Sequence, residues 1–233
     1  GKSSPNPNVA AAIYSAQGDL ISDGIHDRTK SIDHAEVVAI SNAGAAARGA
    51  TIVISLEPCA HTGATPPCTQ AIIDAGISKV VYAVSDPNPV AAGGAQRLQG
   101  AGIEVVAGLG DIEARHDNRA WLTKVAKDRP RITWKIASTM DGKVAAADGT
   151  SKWITSELAR ADVALLRSQT DAIVTSTATV KADNPLLTSK GAGKNPVRIV
   201  MGGSEIAASS QILNSDSETV VIKSRDLEEV ITL

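Results

Sequence analysis

One histidine and both cysteines of the chain fall in three short stretches: His34-Ala35-Glu36, Glu57-Pro58-Cys59 and Pro66-Pro67-Cys68. An imidazole and two thiolates make a ligand set for zinc, with a fourth tetrahedral position left for water. A fold that holds such a set must bring the start of one segment and both ends of a proline-rich loop to one point. That requirement constrains the architecture more than any other feature of the chain.

The flanking patterns say which elements would do this. Residues 9–14 are a short apolar run and read as a buried strand, 17–19 as a hairpin turn, 20–24 as the returning strand. Residues 35–48 carry Ala, Val and Ile without Pro and read as a helix, with His34 and Glu36 at its N-terminal end. Residues 51–56 are apolar and β-branched, a central strand, and the loop 57–68 follows it. A helix over 69–75, a strand over 79–84 and the stiff loop Asp86-Pro87-Asn88-Pro89 come next, then a helix at 95–100 and a strand at 103–107. Residues 111–127 read as one longer helix capped by Asp111. Strands alternating with helices predict a mainly parallel sheet covered on both faces. Ligands in such sheets lie beyond the carboxyl ends of strands, where the cysteine loop and the Asp86–Pro89 loop would share a pocket.

Asp128-Arg129-Pro130 marks a boundary between domains 1–128 and 129–233. In the second, strands are predicted at 131–137, 171–175, 197–201 and 219–222. A helix is predicted at 156–168 with Leu158, Val163 and Leu166 on its apolar face. A turn or short helix falls at 177–181, and a helix begins at 227–233. A β/α layer that stops there leaves a face bare, so the expectation is a second domain truncated by the end of this chain.

Composition excludes several functions. Aromatics make up 2% of residues and Phe is absent, so there are no base-stacking platforms. The net charge of −2 leaves no basic footprint, and no nucleic-acid partner is expected. No apolar run reaches the ~18 residues of a membrane span. Two cysteines make no disulfide framework, no signal peptide is visible, and a cytoplasmic location is expected.

Taken singly, His34 reads as a helix-start histidine, the cysteines as buried thiols or a disulfide, and Glu36 as a solvated helix residue. Taken together, they match the His-x-Glu…Pro-Cys…Cys pattern of zinc deaminases that act on bases. His34, Cys59 and Cys68 would hold zinc, which lowers the pKa of a bound water to about 7. Glu36 would carry the water proton to the leaving amine.

Eight residues separate the cysteines, where most zinc deaminases have two. That long loop from Leu56 to Cys68 resembles the zinc loop of the bifunctional riboflavin-biosynthesis deaminase/reductases, as do Pro5-Asn6-Pro7 and Asp86-Pro87-Asn88-Pro89. In the second half, Met140-Asp141-Gly142-Lys143, Ser151-Lys152-Trp153-Ile154-Thr155, Leu166-Arg167 and Ala182-Asp183-Asn184-Pro185-Leu186-Leu187-Thr188 resemble the reductase domain. The resemblance implies an α/β protein: a cytidine-deaminase-like three-layer domain followed by a truncated dihydrofolate-reductase-like domain. It implies deamination of 2,5-diamino-6-ribosylamino-4(3H)-pyrimidinone 5′-phosphate, then NADPH-dependent reduction of the ribosyl chain to ribityl.

By the same resemblance, Asn6, His26, His61, Asp86 and Asn88 would line the deaminase pocket. Ser151, Arg167, Leu187 and Lys190 would touch substrate in the reductase. Trp153, Thr179 and Asp183 would contact NADPH, Trp153 having core packing and Arg167 a solvated face as their bland alternatives. Ala64 and Lys190 depart from the family, which has Arg or Lys and Arg there. The expected partner is a small phosphorylated molecule, and a homo-oligomer is the expected assembly. Two rivals remain: a nucleoside or tRNA deaminase, and a degenerate paralogue that keeps zinc for structure.

Overall fold

A computed structural model describes residues 3–223. The helix expected at 227–233 lies outside the described residues. The chain falls into two compact units, one ending at Ile132 and the other beginning at Thr133.

The first unit is built on five strands: β1 (Ala10–Tyr14), β2 (Leu20–Ile25), β3 (Thr51–Leu56), β4 (Lys79–Val84) and β5 (Glu104–Ala107), in the order β2-β1-β3-β4-β5. β1 runs antiparallel to β2 and to β3, while β3, β4 and β5 are parallel. The sheet is therefore mixed, not mainly parallel as expected. The two antiparallel pairings come from β1, which takes β2 on one edge through a tight turn and β3 on the other. The last five residues of β4 are all buried, and successive residues face opposite ways, so both faces of the sheet are covered.

The helices are α1 (Ala35–Ala43), continued by a 3₁₀ turn (Gly44–Ala47), then α2 (Cys68–Asp74), α3 (Gly94–Gly100), α4 (Asp111–Asp117) and α5 (Arg119–Lys127). One core joins Ala35 and Ala39 of α1, Ile72 of α2 and Leu98 of α3 to Ile13, Ile52, Ile54 and Val80 of the sheet. A second joins Ala114, Trp121 and Leu122 to Leu56, Ala83 and Val84. Fully burying each of the larger side chains contributes about 1.5–3 kcal/mol. α1 sits close on β2 because position 24 is glycine: a Cβ there would lie 2.4 Å from the Ala35 carbonyl oxygen.

The single helix expected at 111–127 is two. Asn118 breaks it, buried, accepting from Asn8 N at 2.7 Å and donating through Nδ2 to Asn8 O at 2.8 Å. These side-chain bonds compete with the helical ladder. Asp111 is not the cap; left-handed Gly110 precedes it.

The second unit has three parallel strands in the order β6-β7-β8: β6 (Ala172–Ser176), β7 (Val197–Met201) and β8 (Thr219–Ile222). α6 (Glu157–Ser168) leads into β6, and α7 (Thr177–Asp183) follows it. Val180, Val200 and Ile212 form its core. The strand expected at 131–137 is absent: these residues pair with nothing among the described ones, and Ile132, Trp134 and Ile136 are exposed. Alternation gives a chain strand propensity, but only a neighbouring ladder makes it a strand. Leu158, expected on the buried face of α6, is 84% exposed, and Ala164 is the buried residue there. Among the described residues, no helix is long and apolar enough to cross a membrane.

Candidate metal centre

His34 is the N-cap of α1, with extended backbone and no side-chain cap bond, so its imidazole is free to point away from the helix. Its Nδ1 lies 3.1 Å from Cys68 Sγ and 3.8 Å from Cys59 Sγ. All three ligand atoms lie within 4.8 Å of one another. Cys68 opens α2 directly after Pro67, whose fixed φ suits the start of a helix. The Cys68 N–H donates to Cys59 Sγ at 3.3 Å. Thr69 donates to Cys59 O from both N and Oγ1, each at 3.2 Å, so the far end of the loop is tied to α2.

The cysteines titrate as a pair. The Cys68 thiol, hydrogen-bonded to Cys59, pulls the Cys59 thiol far below its usual range, and His34 helps. Cys68 moves the other way, because its own S–H proton is held in the hydrogen bond to the Cys59 sulfur and because it is buried. His34 is raised, chiefly by its bond to Cys59. One imidazole and two thiols, one of them already acidic, fit a zinc ion, whose binding would deprotonate both sulfurs. Glu36 is buried in the first turn of α1, and burial raises its carboxyl above the usual value. A carboxyl so raised is suited to passing a proton back and forth.

Around this centre lie the other expected residues of the first half. His26 packs edge-on against His34, ring centroids 5.3 Å apart. Its Nδ1 donates to Asp33 O at 2.8 Å, which leaves Nε2 to accept from Asn6 Nδ2 at 3.1 Å. Asp86 Oδ1 accepts from Asn88 N at 2.8 Å, and Asn88 Oδ1 from Val90 N at 3.1 Å. Burial raises the Asp86 carboxyl; the Asn88 N–H bond and, less, His61 oppose this, while the charges of Glu57 and Cys59 add to it. His61 Nδ1 is buried without a hydrogen-bond partner, an orphan that a ligand would satisfy. Two neighbours carry no motif signal of their own. Glu57 lies two residues before Cys59, and Arg28 donates to Asn6 Oδ1 at 3.5 Å.

In the second unit, Ser151 and Trp153 line an open cleft of about 810 Å³ with Thr139, Asp141, Lys143 and Lys152. Trp153 is 68% exposed, which removes core packing as its role, and the Arg160 guanidinium stacks 4.5 Å from its ring centroid. Lys152 Nζ donates to Asp183 O at 3.1 Å. Arg167 donates to Thr188 O at 3.2 Å, and its Nε is buried without a partner. Leu187 and Lys190 both have left-handed backbone, φ 54° and 51°. Thr179 is exposed and bonds within its own turn to Ser176.

Residues 1–84 match the family model of the cytidine and deoxycytidylate deaminase zinc-binding region, and residues 130–232 that of the RibD C-terminal domain. The riboflavin biosynthesis protein RibD of Mycobacterium tuberculosis is 43% identical over 237 residues, covering 99% of this chain and 70% of that protein. RibD of Escherichia coli is 49% identical over 185 residues, 79% of this chain and 50% of the relative. A Thermotoga maritima diaminohydroxyphosphoribosylaminopyrimidine deaminase/5-amino-6-(5-phosphoribosylamino)uracil reductase superposes with a TM-score of 0.89 at 34% identity, over 99% of this chain and 71% of that one. RibD of Acinetobacter baumannii gives a TM-score of 0.84 at 37% identity, over 98% and 66%. The chain thus spans from half to about seven tenths of these four proteins.

Proposed function

The chain belongs to the RibD family of riboflavin-biosynthesis proteins, with a zinc-dependent deaminase domain and a reductase domain, and on that premise we propose which residues carry its reactions. The deaminase domain is assigned to 1–128 and the reductase domain to 129–233. The deaminase substrate is 2,5-diamino-6-ribosylamino-4(3H)-pyrimidinone 5′-phosphate. His34, Cys59 and Cys68 hold the zinc. When bound, that ion supplies a Lewis acid able to bring the pKa of a water to about 7. Glu36 takes a proton as the water oxygen bonds to the ring carbon, and returns it to the amine as the C–N bond breaks. Water is consumed and ammonia released. Asn6, His26, His61, Asp86 and Asn88 orient the ring and its ribosyl phosphate.

The observation that carries this reading is the convergence of one imidazole nitrogen and two thiols beside a buried carboxyl two residues from the histidine. In the second domain, Ser151, Arg167, Leu187 and Lys190 are assigned to substrate and Trp153, Thr179 and Asp183 to NADPH, the cofactor of this family's reductase. The partnerless Nε of Arg167 supports a role for its guanidinium toward an anion. A homo-oligomer and a cytoplasmic location complete the proposal, the second because free thiols at a metal site need a reducing compartment. Sedimentation and fractionation of the full-length protein check both.

The test of the deaminase assignment is ammonia release from the diaminopyrimidinone phosphate by the full-length zinc enzyme. Glu36→Gln should retain zinc and lose at least about a hundred-fold in rate, within the range for a lost acid–base group. Normal release by that variant would overturn the role given to Glu36.

A further inference from the structure

Glu57 follows the last residue of β3 and stands two residues before the ligand Cys59. By position it reads as a loop residue, but its surroundings are those of a core. It is 7% exposed, and no ion pair to it is found among the described residues. A carboxylate taken out of water needs hydrogen bonds in return. It finds them on the main chain: Oε2 accepts from Asp86 N at 3.2 Å and Oε1 from Ala95 N at 3.0 Å. These amides sit at the two ends of one excursion. Asp86 opens the loop that leaves β4, and Ala95 lies in the first turn of α3.

Two further contacts press the same excursion onto the zinc loop. A Cβ on Gly94 would lie 1.8 Å from Pro58 O, so the start of α3 touches the residue between Glu57 and Cys59. Ala60 N donates to Ala91 O at 3.2 Å on the far side of Cys59. Glu57's own N–H donates to Val84 O at 2.8 Å, which fixes its main chain to β4. One side chain therefore links the segment carrying Cys59 to the turn carrying Asp86 and Asn88.

We propose that Glu57 is a positioning residue for the deaminase, setting the Asp86–Asn88 turn in place relative to the zinc ligands through its bonds to Asp86 N and Ala95 N. This rests on the reading that Asp86 and Asn88 face the substrate. Glu57 itself touches neither zinc nor substrate. Because Asp86 Oδ1 holds Asn88 N, a shift of the Asp86 main chain moves both side chains.

The test uses the full-length zinc enzyme and Glu57→Gln, which keeps the shape but turns one acceptor into a donor facing a backbone N–H. Zinc should stay at one per chain. KM for the diaminopyrimidinone phosphate should rise roughly ten-fold, the scale of one lost charge-assisted hydrogen bond, with kcat within about three-fold. In an Asn88→Ala background the same change should raise KM less than about two-fold, because the groups act as one unit. Hydrogen exchange at the Asp86 and Ala95 amides should accelerate at least about ten-fold. An unchanged KM, or full additivity with Asn88→Ala, overturns the proposal. If Glu57→Gln does not fold, Glu57→Asp, too short to reach both amides, should show the same KM and exchange changes; wild-type behaviour there overturns it. Should the wild-type enzyme not deaminate this substrate, the functional reading fails, and amide exchange still decides whether Glu57 holds the turn.

Discussion

Asp86 is a carboxyl in a half-buried place, held above its usual value of 3.8 by burial and by the charges of Glu57 and Cys59. Its folded-state pKa exceeds its unfolded one, so the folded state binds the extra proton in that window. Stability attributable to Asp86 is therefore present below the ordinary carboxylate value and is lost as pH rises through the raised one. Asp86→Asn keeps the oxygen that accepts from Asn88 N and removes the ionisation. Relative to wild type, its melting temperature should climb as pH goes from about 4 to about 6, and a parallel pair of curves would contradict the raised value. The clustering of His34, Cys59 and Cys68 was legible in the sequence, because few residue types can bind zinc and each names itself. Glu57 was not legible, because its partners are the N–H groups of Asp86 and Ala95, and a backbone donor has no letter of its own.

At the level of elements, what locks the site is close approach. α3 can start where it does only because position 94 is glycine, with Pro58 O in the space a side chain would need. Gly94→Ala should cost about 1–3 kcal/mol, as overpacking does, and should weaken zinc binding because the displaced loop carries Cys59. Gly100→Ala at the other end of the same helix meets nothing within 4 Å and serves as the control, neutral or slightly stabilising. Thermal unfolding and zinc titration of the two variants decide it. The strands β3, β4, β7 and β8 were readable residue by residue as short apolar runs. The stretch 131–137 alternates apolar and polar residues and forms no strand, since pairing is a property of neighbours rather than of the segment. The break at Asn118 was hidden for a similar reason: its competitor, Asn8, is 110 residues away.

For the whole molecule, the two units give an asymmetric response to metal removal. All three residues proposed to hold zinc belong to the first unit. Zinc at about a thousand times its Kd would stabilise that unit by about 4 kcal/mol. Chelation should therefore lower one calorimetric transition and leave the other in place; a uniform shift of both would contradict this. The α/β class was readable from the alternation of patterns, and so was the β1–β2 hairpin. That β3 adds to the free edge of β1, making the sheet mixed, was not readable, because the same apolar strand fits either edge.

The paired bonds between Asn8 and Asn118 have a consequence in time. The His34, Cys59 and Cys68 cluster spans residues 34–68 and is synthesised early in the chain's production. The arm bearing Asn6 is hooked to a residue far later, and closing so long a loop is entropically costly. The Asn8–Asn118 bonds can form only after residue 118 has been made, so the arm that carries Asn6 is tied down late in synthesis.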